Sequence, residues 1–220
     1  MKITENLYMY PEFGMLDSNT YIIKDHVNII IDLGSKSLLN NVVREMRKDG
    51  IQPEDINYIC NTHLHLDHYG ANEDFKKISG AKILAHPVQK KNYHLSVVES
   101  SRVFGIQPVN YQEDSLIDEK EMSKGDLQIE ILLTPGHSAD SICFYSKKAK
   151  FVVCGDTIFN QNIGRVDLPG GNADQLKESI NYLSTLDIEY LLPGHMDFLD
   201  NAESVRKNFT FIKEGVLPWL

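Results

Sequence analysis

Cysteine is scarce in this 220-residue sequence: Cys60, Cys143 and Cys154 lie far apart, with no CxxC pair. That spacing excludes a disulfide framework. Each of the three sits in an apolar, strand-like run and reads as a small buried hydrophobe. A reducing cytosol is the compartment this usage fits. No apolar run approaches the ~18 residues of a membrane span, and no apolar leader follows Lys2. Positive charge is outnumbered, 22 Lys and Arg against 31 Asp and Glu, for a net charge of -9. Such a balance is wrong for gripping nucleic acid by phosphate neutralisation. Low-complexity segments, linkers and repeats are also missing. The expectation is a soluble, cytoplasmic protein that acts on a small molecule, with no nucleic-acid or membrane partner.

The hydrophobic fraction of 42% fits one domain over residues 1–220. A chain of this size buries about 70% of its extended surface without a staple. Strand-like runs cover 3–10, 21–23 and 27–32, the last two parted by a turn at Lys24-Asp25-His26. Leu38, Leu39, Val42, Val43 and Met46 then recur at helical spacing until Gly50. Ile56 to Cys60 and Ala81 to Ala85 read as strands, with a short helix at 71–79 between them. Residues 88–104 read as helix, and 104–111 as irregular and apolar. Further strands are expected at 127–134, 141–146, 150–154 and 190–192. Helices are expected around Leu176, Ile180 and Leu183, capped by Asn172 with Gln175, and at 201–213. Strands, helices, strands and helices in that order predict an α+β fold of two sheets packed face to face with helices outside, a four-layer αβ/βα sandwich. The stretch 88–118, with Tyr93, Phe104, Pro108 and Tyr111, would be an insertion over one face, either a lid or a covering helix. The apolar end from Gly215 to Leu220 would dock on its own core or on a second subunit.

Histidine is where the chemistry gathers. His63, His65, Asp67 and His68 fall within six positions, directly after the strand ending at Cys60. In an extended segment His63, His65 and Asp67 would point the same way, and Gly70 marks a turn that could bring in His68. Three more strands end in a sharp stop and a metal-competent side chain: Pro135-Gly136-His137, Gly155-Asp156 and Pro193-Gly194-His195. Imidazoles and carboxylates at this density suit borderline divalent metals, and there are too many for one ion with an open position. His63, His65 and His137 could hold one ion, and Asp67, His68 and His195 another, with Asp156 bridging. Such a pair, with a hydroxide shared between the ions as nucleophile, has the form of a two-metal hydrolytic site. The remaining histidines read differently: His26 lies in a turn, His94 in a helix and His86 before Pro87.

The order His63-x-His65-x-Asp67-His68, His137, Asp156, His195 resembles the metallo-β-lactamase superfamily, over residues 3 to 213. Asp67 and the stretch from Gly164 to Gly171 are similar to the glyoxalase II-like branch, which holds hydroxyacylglutathione hydrolases and persulfide dioxygenases. His65, where a Glu would mark the flavodiiron branch, and the negative charge point away from flavodiiron proteins and tRNA-processing nucleases. The resemblance implies the same sandwich fold, the same division of ligands, and two divalent ions, Zn2+ or Fe2+ or one of each. It implies hydrolysis of a small thioester, with Asp67 orienting the nucleophile; Arg165, whose loop follows Asp156, could contact an anionic substrate group or brace its loop through Asp167. Its other implied reactions are persulfide oxygenation on one iron held by His63, His137 and Asp156, and hydrolysis of a lactone or other ester. A metal-binding domain without chemistry is the remaining class.

Overall fold

The computed structural model describes residues 1–14 and 16–220, with the Glu121 side chain outside the description. The chain begins with β1 (Leu7–Tyr10), β2 (Thr20–Lys24), β3 (Asn28–Ile31) and α1 (Leu39–Lys48). Next come β4 (Tyr58–Cys60), the single-turn α2 (Leu66–Tyr69), α3 (Asn72–Ser79) and β5 (Lys82–Ala85). A helical stretch follows, α4 (Pro87–Tyr93), π-helical turns at His94–Glu99 and α5 (Ser100–Val103), before β6 (Ser115–Leu116) and α6 (Glu119–Met122). The second half adds β7 (Glu130–Leu133), β8 (Ile142–Ser146), β9 (Phe151–Gly155) and the hairpin β10 (Ile158–Phe159) with β11 (Asn162–Ile163). It ends with α7 (Ala173–Leu183), β12 (Tyr190–Pro193) and α8 (Ala202–Phe211).

One sheet has the order β1-β2-β3-β4-β5-β6 and the other β12-β9-β8-β7. Side-chain alternation along the strands explains the layering. In the first sheet Tyr8, Tyr10, Ile22, Ile30 and Ile59 face outward onto Val42, Val43 and Met46 of α1 and Phe75 of α3. Their neighbours Leu7, Met9, Tyr21, Ile23, Ile29 and Ile31 face inward and meet Ile142, Phe144, Phe151 and Val153 of the second sheet. The other faces of those strands, Cys143, Tyr145, Val152 and Cys154, pack on Leu176, Ile180 and Leu183 of α7 and Val205 and Phe209 of α8. The layer order is therefore helix, sheet, sheet, helix, the expected αβ/βα sandwich. The three cysteines are buried free thiols, as expected.

Local differences from the expected elements have local causes. The strand expected from 127 begins only at Glu130, because Gln128 takes φ +52 and Leu127 N–H is drawn onto Asp25. α7 starts where Asn172 accepts from Gln175 N–H at 3.0 Å, the expected cap. Tyr111 is buried against Tyr69, while Ser100, Ser101, Phe104 and Ile106 line a cavity. The 88–118 stretch thus has a core-packed part and a cavity-facing part. Among the described residues no helix is long and apolar enough to cross a membrane.

Candidate metal centre

The loops that follow β4, β7, β9 and β12 meet at one end of the paired sheets, and backbone bonds fasten them there. Ile142 N–H reaches Thr62 C=O at 2.8 Å, and Gly194 N–H reaches Gly155 C=O at 2.8 Å. Tyr21 donates its hydroxyl to Pro193 C=O at 2.6 Å. Glycine is needed where the loops touch. A Cβ at Gly194 would lie 2.3 Å from Asp156 Oδ1, and one at Gly155, itself at φ +49, would lie 2.3 Å from Thr62 Oγ1. Only a residue without a side chain allows such an approach.

The opening motif departs from simple alternation. The chain leaves the extended conformation at His65, whose carbonyl accepts from His68 N–H at 2.9 Å as α2 begins. His63 and His65 come from the extended part, whereas Asp67 and His68 come from the helical turn. The turn therefore lies earlier than Gly70, and it delivers Asp67 and His68 together.

Seven side chains converge as three overlapping groups: His63, His65 and His137; His63, His68 and Asp156; Asp67, His68 and His195. Within each group the ligand atoms lie within 4.8 Å of one another. His65 Nδ1 stands 3.0 Å from His63 Nε2 and 2.9 Å from His137 Nε2. Asp156 Oδ2 is 3.5 Å from His137 Nε2 and 3.5 Å from His195 Nε2, so this carboxylate stands between the outer groups. Asp67 Oδ2 is 3.5 Å from His195 Nε2. All of the side chains expected as ligands are thus brought together.

For four of the five rings a partner on the far side fixes the proton. His137 Nδ1 donates to Arg165 C=O at 2.7 Å, which leaves Nε2 a lone pair aimed at the cluster. His68 Nδ1 meets Asp32 Oδ2 at 3.0 Å, and His195 Nδ1 meets Glu12 Oε2 at 2.9 Å. Thr62 donates its hydroxyl to Asp32 Oδ2 at 2.7 Å, so its oxygen is free to accept from His63 Nδ1 at 3.2 Å. One buried carboxylate, Asp32, supports His68 directly and His63 through Thr62.

These residues fit divalent metal. His68 Nε2 and Asp156 Oδ1 are buried with no hydrogen-bond partner. His68 Nε2 and Asp156 Oδ1 lie 3.3 Å apart without hydrogen-bond geometry, two electron-rich atoms that require a proton or a cation near them. Buried polar atoms left unpaired are costly, and a metal ion satisfies them. Nitrogen and carboxylate donors in this mixture suit zinc or ferrous iron.

The electrostatics divide the cluster. Burial pushes His65 down to about 3, with help from His137, and burial also holds His63 well below the ordinary value. Both are neutral and ready to donate lone pairs. Burial opposes charge on His68 too, but the carboxylates of Asp32, Asp156 and Asp67 outweigh it and raise it to about 10. For His195 burial is likewise outweighed, by Asp156, Asp67 and Glu12, which lift it to about 12. Burial would raise Asp67, yet His68 and His195 hold its carboxyl below the usual value.

Arg165 lines the same cavity, but its guanidinium closes on Asp167 with two bonds of 2.6 Å. His86 caps α4, His94 pairs with Glu99 at the surface, and neither joins the cluster. Asp32, Glu12, Thr62 and Asp140 were not singled out from the sequence. Asp32 carried a readable signal, because it ends the run Ile29-Ile30-Ile31 just as Asp156 ends its own strand. Glu12 had none, since its partner lies 183 positions away.

The profile of the metallo-beta-lactamase superfamily matches residues 14–195. A Methanocaldococcus jannaschii protein named "Probable metallo-hydrolase MJ0888" is 34% identical over 190 residues, 83% of this chain and 89% of the relative. "Probable hydroxyacylglutathione hydrolase glo2" of Schizosaccharomyces pombe is 31% identical over 186 residues, 82% of this chain and 63% of that longer protein. The solved BLEG-1 B3 metallo-beta-lactamase superposes with a TM-score of 0.77 at 24% identity, covering 95% of this chain and all of its own, a likeness of fold. The chain belongs to the metallo-β-lactamase superfamily, a family of metallo-hydrolases, and its His and Asp clusters are a candidate metal site for such chemistry.

Proposed function

We propose that the protein hydrolyses a small thioester at a pair of divalent ions, Zn2+ in the first instance and Fe2+ or a mixed pair as alternatives. His63, His65 and His137 would hold one ion, Asp67, His68 and His195 the other, with Asp156 between them. When bound, such a pair supplies hydroxide at neutral pH and polarises a carbonyl oxygen. The reaction consumes one water: the C–S bond breaks, a C–O bond forms, and the products are a carboxylate, a thiol and a proton.

The observation that carries this reading is the chemistry of the cavity, about 430 Å³, that opens onto the cluster. His65, Asp67, His137, Asp156 and His195 form its floor, and its described lining includes no tyrosine and no lysine. A thiol leaves as thiolate, with a pKa near ~8.5, and needs no dedicated proton donor. An alkoxide leaving group would need one, which places lactones and simple esters behind thioesters. Asp67 Oδ2 faces both the cavity and His195, where it can accept a proton from the attacking water and orient it. Kinship with a hydroxyacylglutathione hydrolase supports the same reaction class.

A second reading has one observation behind it. The His63, His137 and Asp156 set expected for a single iron is not one of the convergent groups; His63, His68 and Asp156 form the two-histidine, one-carboxylate group instead, of the type that holds mononuclear iron in oxygenases. Against it stand Asp67 and His195, which an iron held by His63, His68 and Asp156 would leave without a cation of their own. The test is thiol release from a thioester panel by metal-loaded protein, with Asp67→Asn expected to lose about a hundredfold or more in kcat. No cleavage of any thioester, with oxygen consumed on glutathione persulfide, would overturn the hydrolase.

A further inference from the structure

Three of the large apolar side chains left exposed are Leu16 at 48%, Phe104 at 50% and Met196 at 46%. They come from separate segments and line the same cavity above the metal cluster. Scattered singly, such residues need no explanation; gathered on the wall of a concave site, they do. Ile106, Phe159 and Leu168 line the cavity with them.

The backbone sharpens the point. Leu16 takes φ +59 and Met196 φ +66, a region that side chains with a Cβ avoid. Such conformations persist when the surroundings impose them, and they gather at functional sites. Met196 is held by Glu12 Oε1, which accepts its N–H at 3.2 Å, and by Asn19 Nδ2, which donates to its carbonyl at 2.8 Å. Beside Leu16, Asp17 accepts from Phe13 N–H at 2.8 Å and Ser35 N–H at 3.0 Å. Glycine would fill either place without strain. What leucine and methionine add there is an apolar side chain facing the cavity.

Lysine and arginine are scarce on the same walls. Arg165 is the one Lys or Arg among the described lining residues, and Asp167 already occupies its fork. The carboxylates of a glutathione carrier would find no unpaired cation there.

We infer that the cavity selects thioesters bearing an apolar alkyl or aryl group beside the scissile carbonyl, with Leu16, Phe104 and Met196 as specificity-determining residues. This rests on the thioester hydrolysis proposed above. The apolar group can belong to the acyl half or to the thiol half, and two substrate series separate these sources. One series runs from acetyl to octanoyl on N-acetylcysteamine. The other keeps acetyl and varies the thiol through N-acetylcysteamine, hexanethiol, thiophenol and glutathione.

In one arm kcat/KM is expected to climb about fourfold per buried methylene, with glutathione disfavoured in the thiol series. Phe104→Ser is expected to cost the longest chain about tenfold more than the acetyl substrate, flattening the slope. Met196→Gly removes the side chain and relieves the backbone, so its unfolding midpoint should hold or rise while the slope falls. A drop in that midpoint with the slope intact would show Met196 to be structural and remove it from the proposal. Turnover with flat or falling dependence in both arms overturns the inference and leaves the hydrolase standing. No turnover in either arm by metal-loaded protein removes the hydrolase, and the inference with it.

Discussion

Glu12 and His195, 183 positions apart, are joined at 2.9 Å through Oε2 and Nδ1, while the other oxygen of Glu12 accepts the Met196 N–H at 3.2 Å. One carboxylate from the first loop thus orients a candidate metal ligand and sets the cavity residue that follows it. Glu12→Ala is expected to weaken metal at the Asp67–His68–His195 group by about 10- to 100-fold. Competition with a chromophoric chelator measures it, and the three-histidine group should change much less. Equal loss at both groups would show that Glu12 acts through the fold at large.

Asp32 and Thr62 offer a contrast. Asp32 supports His68 directly and His63 through the Thr62 hydroxyl, so Asp32→Ala should weaken both ions by about 10- to 100-fold. Thr62→Val keeps the shape and removes the link to His63 alone. Its expected effect is confined to the His63–His65–His137 ion, read by the same competition.

Much of this candidate centre was legible in the sequence, because the side chains that converge there sit at strand ends marked by glycine and proline. Asp156 and His195 could be found for that reason, and so could the apolar alternation that sets the four layers. The supporting shell was not legible in the same way. Glu12 lies in an irregular loop and its role exists only once β12 is in place. The rim residues Leu16 and Met196 resemble any surface leucine or methionine until their positive φ and shared cavity are seen. At Arg165 the residues alone left two roles open, a substrate contact or an ion pair with Asp167. Its position beside the site was legible, but its bond to Asp167 depends on side-chain geometry within the loop.

Metal uptake should be coupled to protons. In the metal-free fold His68 titrates at about 10 and His195 at about 12, both above the ordinary 6.5, so both are protonated at pH 7. A cation bound there must displace those protons. Binding at pH 7 is expected to release them, and apparent affinity should rise with pH through about 10 as His68 loses its proton and onward as His195 does. The sign for metal-free stability is the reverse: the His68 contribution is complete below pH 6.5 and is lost as pH rises through about 10. Calorimetric titrations in buffers of different ionisation heat will show the release; heats independent of buffer would contradict it.

Asp140 ties the histidine loops together. Its Oδ2 accepts from Leu64 N–H at 2.9 Å, between His63 and His65, and its Oδ1 from Ser96 and Ser138 hydroxyls at 2.6 and 2.7 Å. Asp140→Ala would leave Leu64 N–H and the Ser96 hydroxyl unpaired, while Ser138 keeps Ser141 at 2.7 Å; the expected loss is about 3 kcal/mol in urea unfolding. A loss under about 1 kcal/mol would show that water replaces the carboxylate readily.

Metal stoichiometry decides the central claim most directly. Protein purified without added metal should be analysed for its ions and then assayed for thiol release and oxygen uptake on the same sample. Two divalent ions per chain, thioester cleavage and no oxygen consumption are expected. One iron per chain with oxygen consumed on a persulfide, and no thiol released from any thioester, would contradict it.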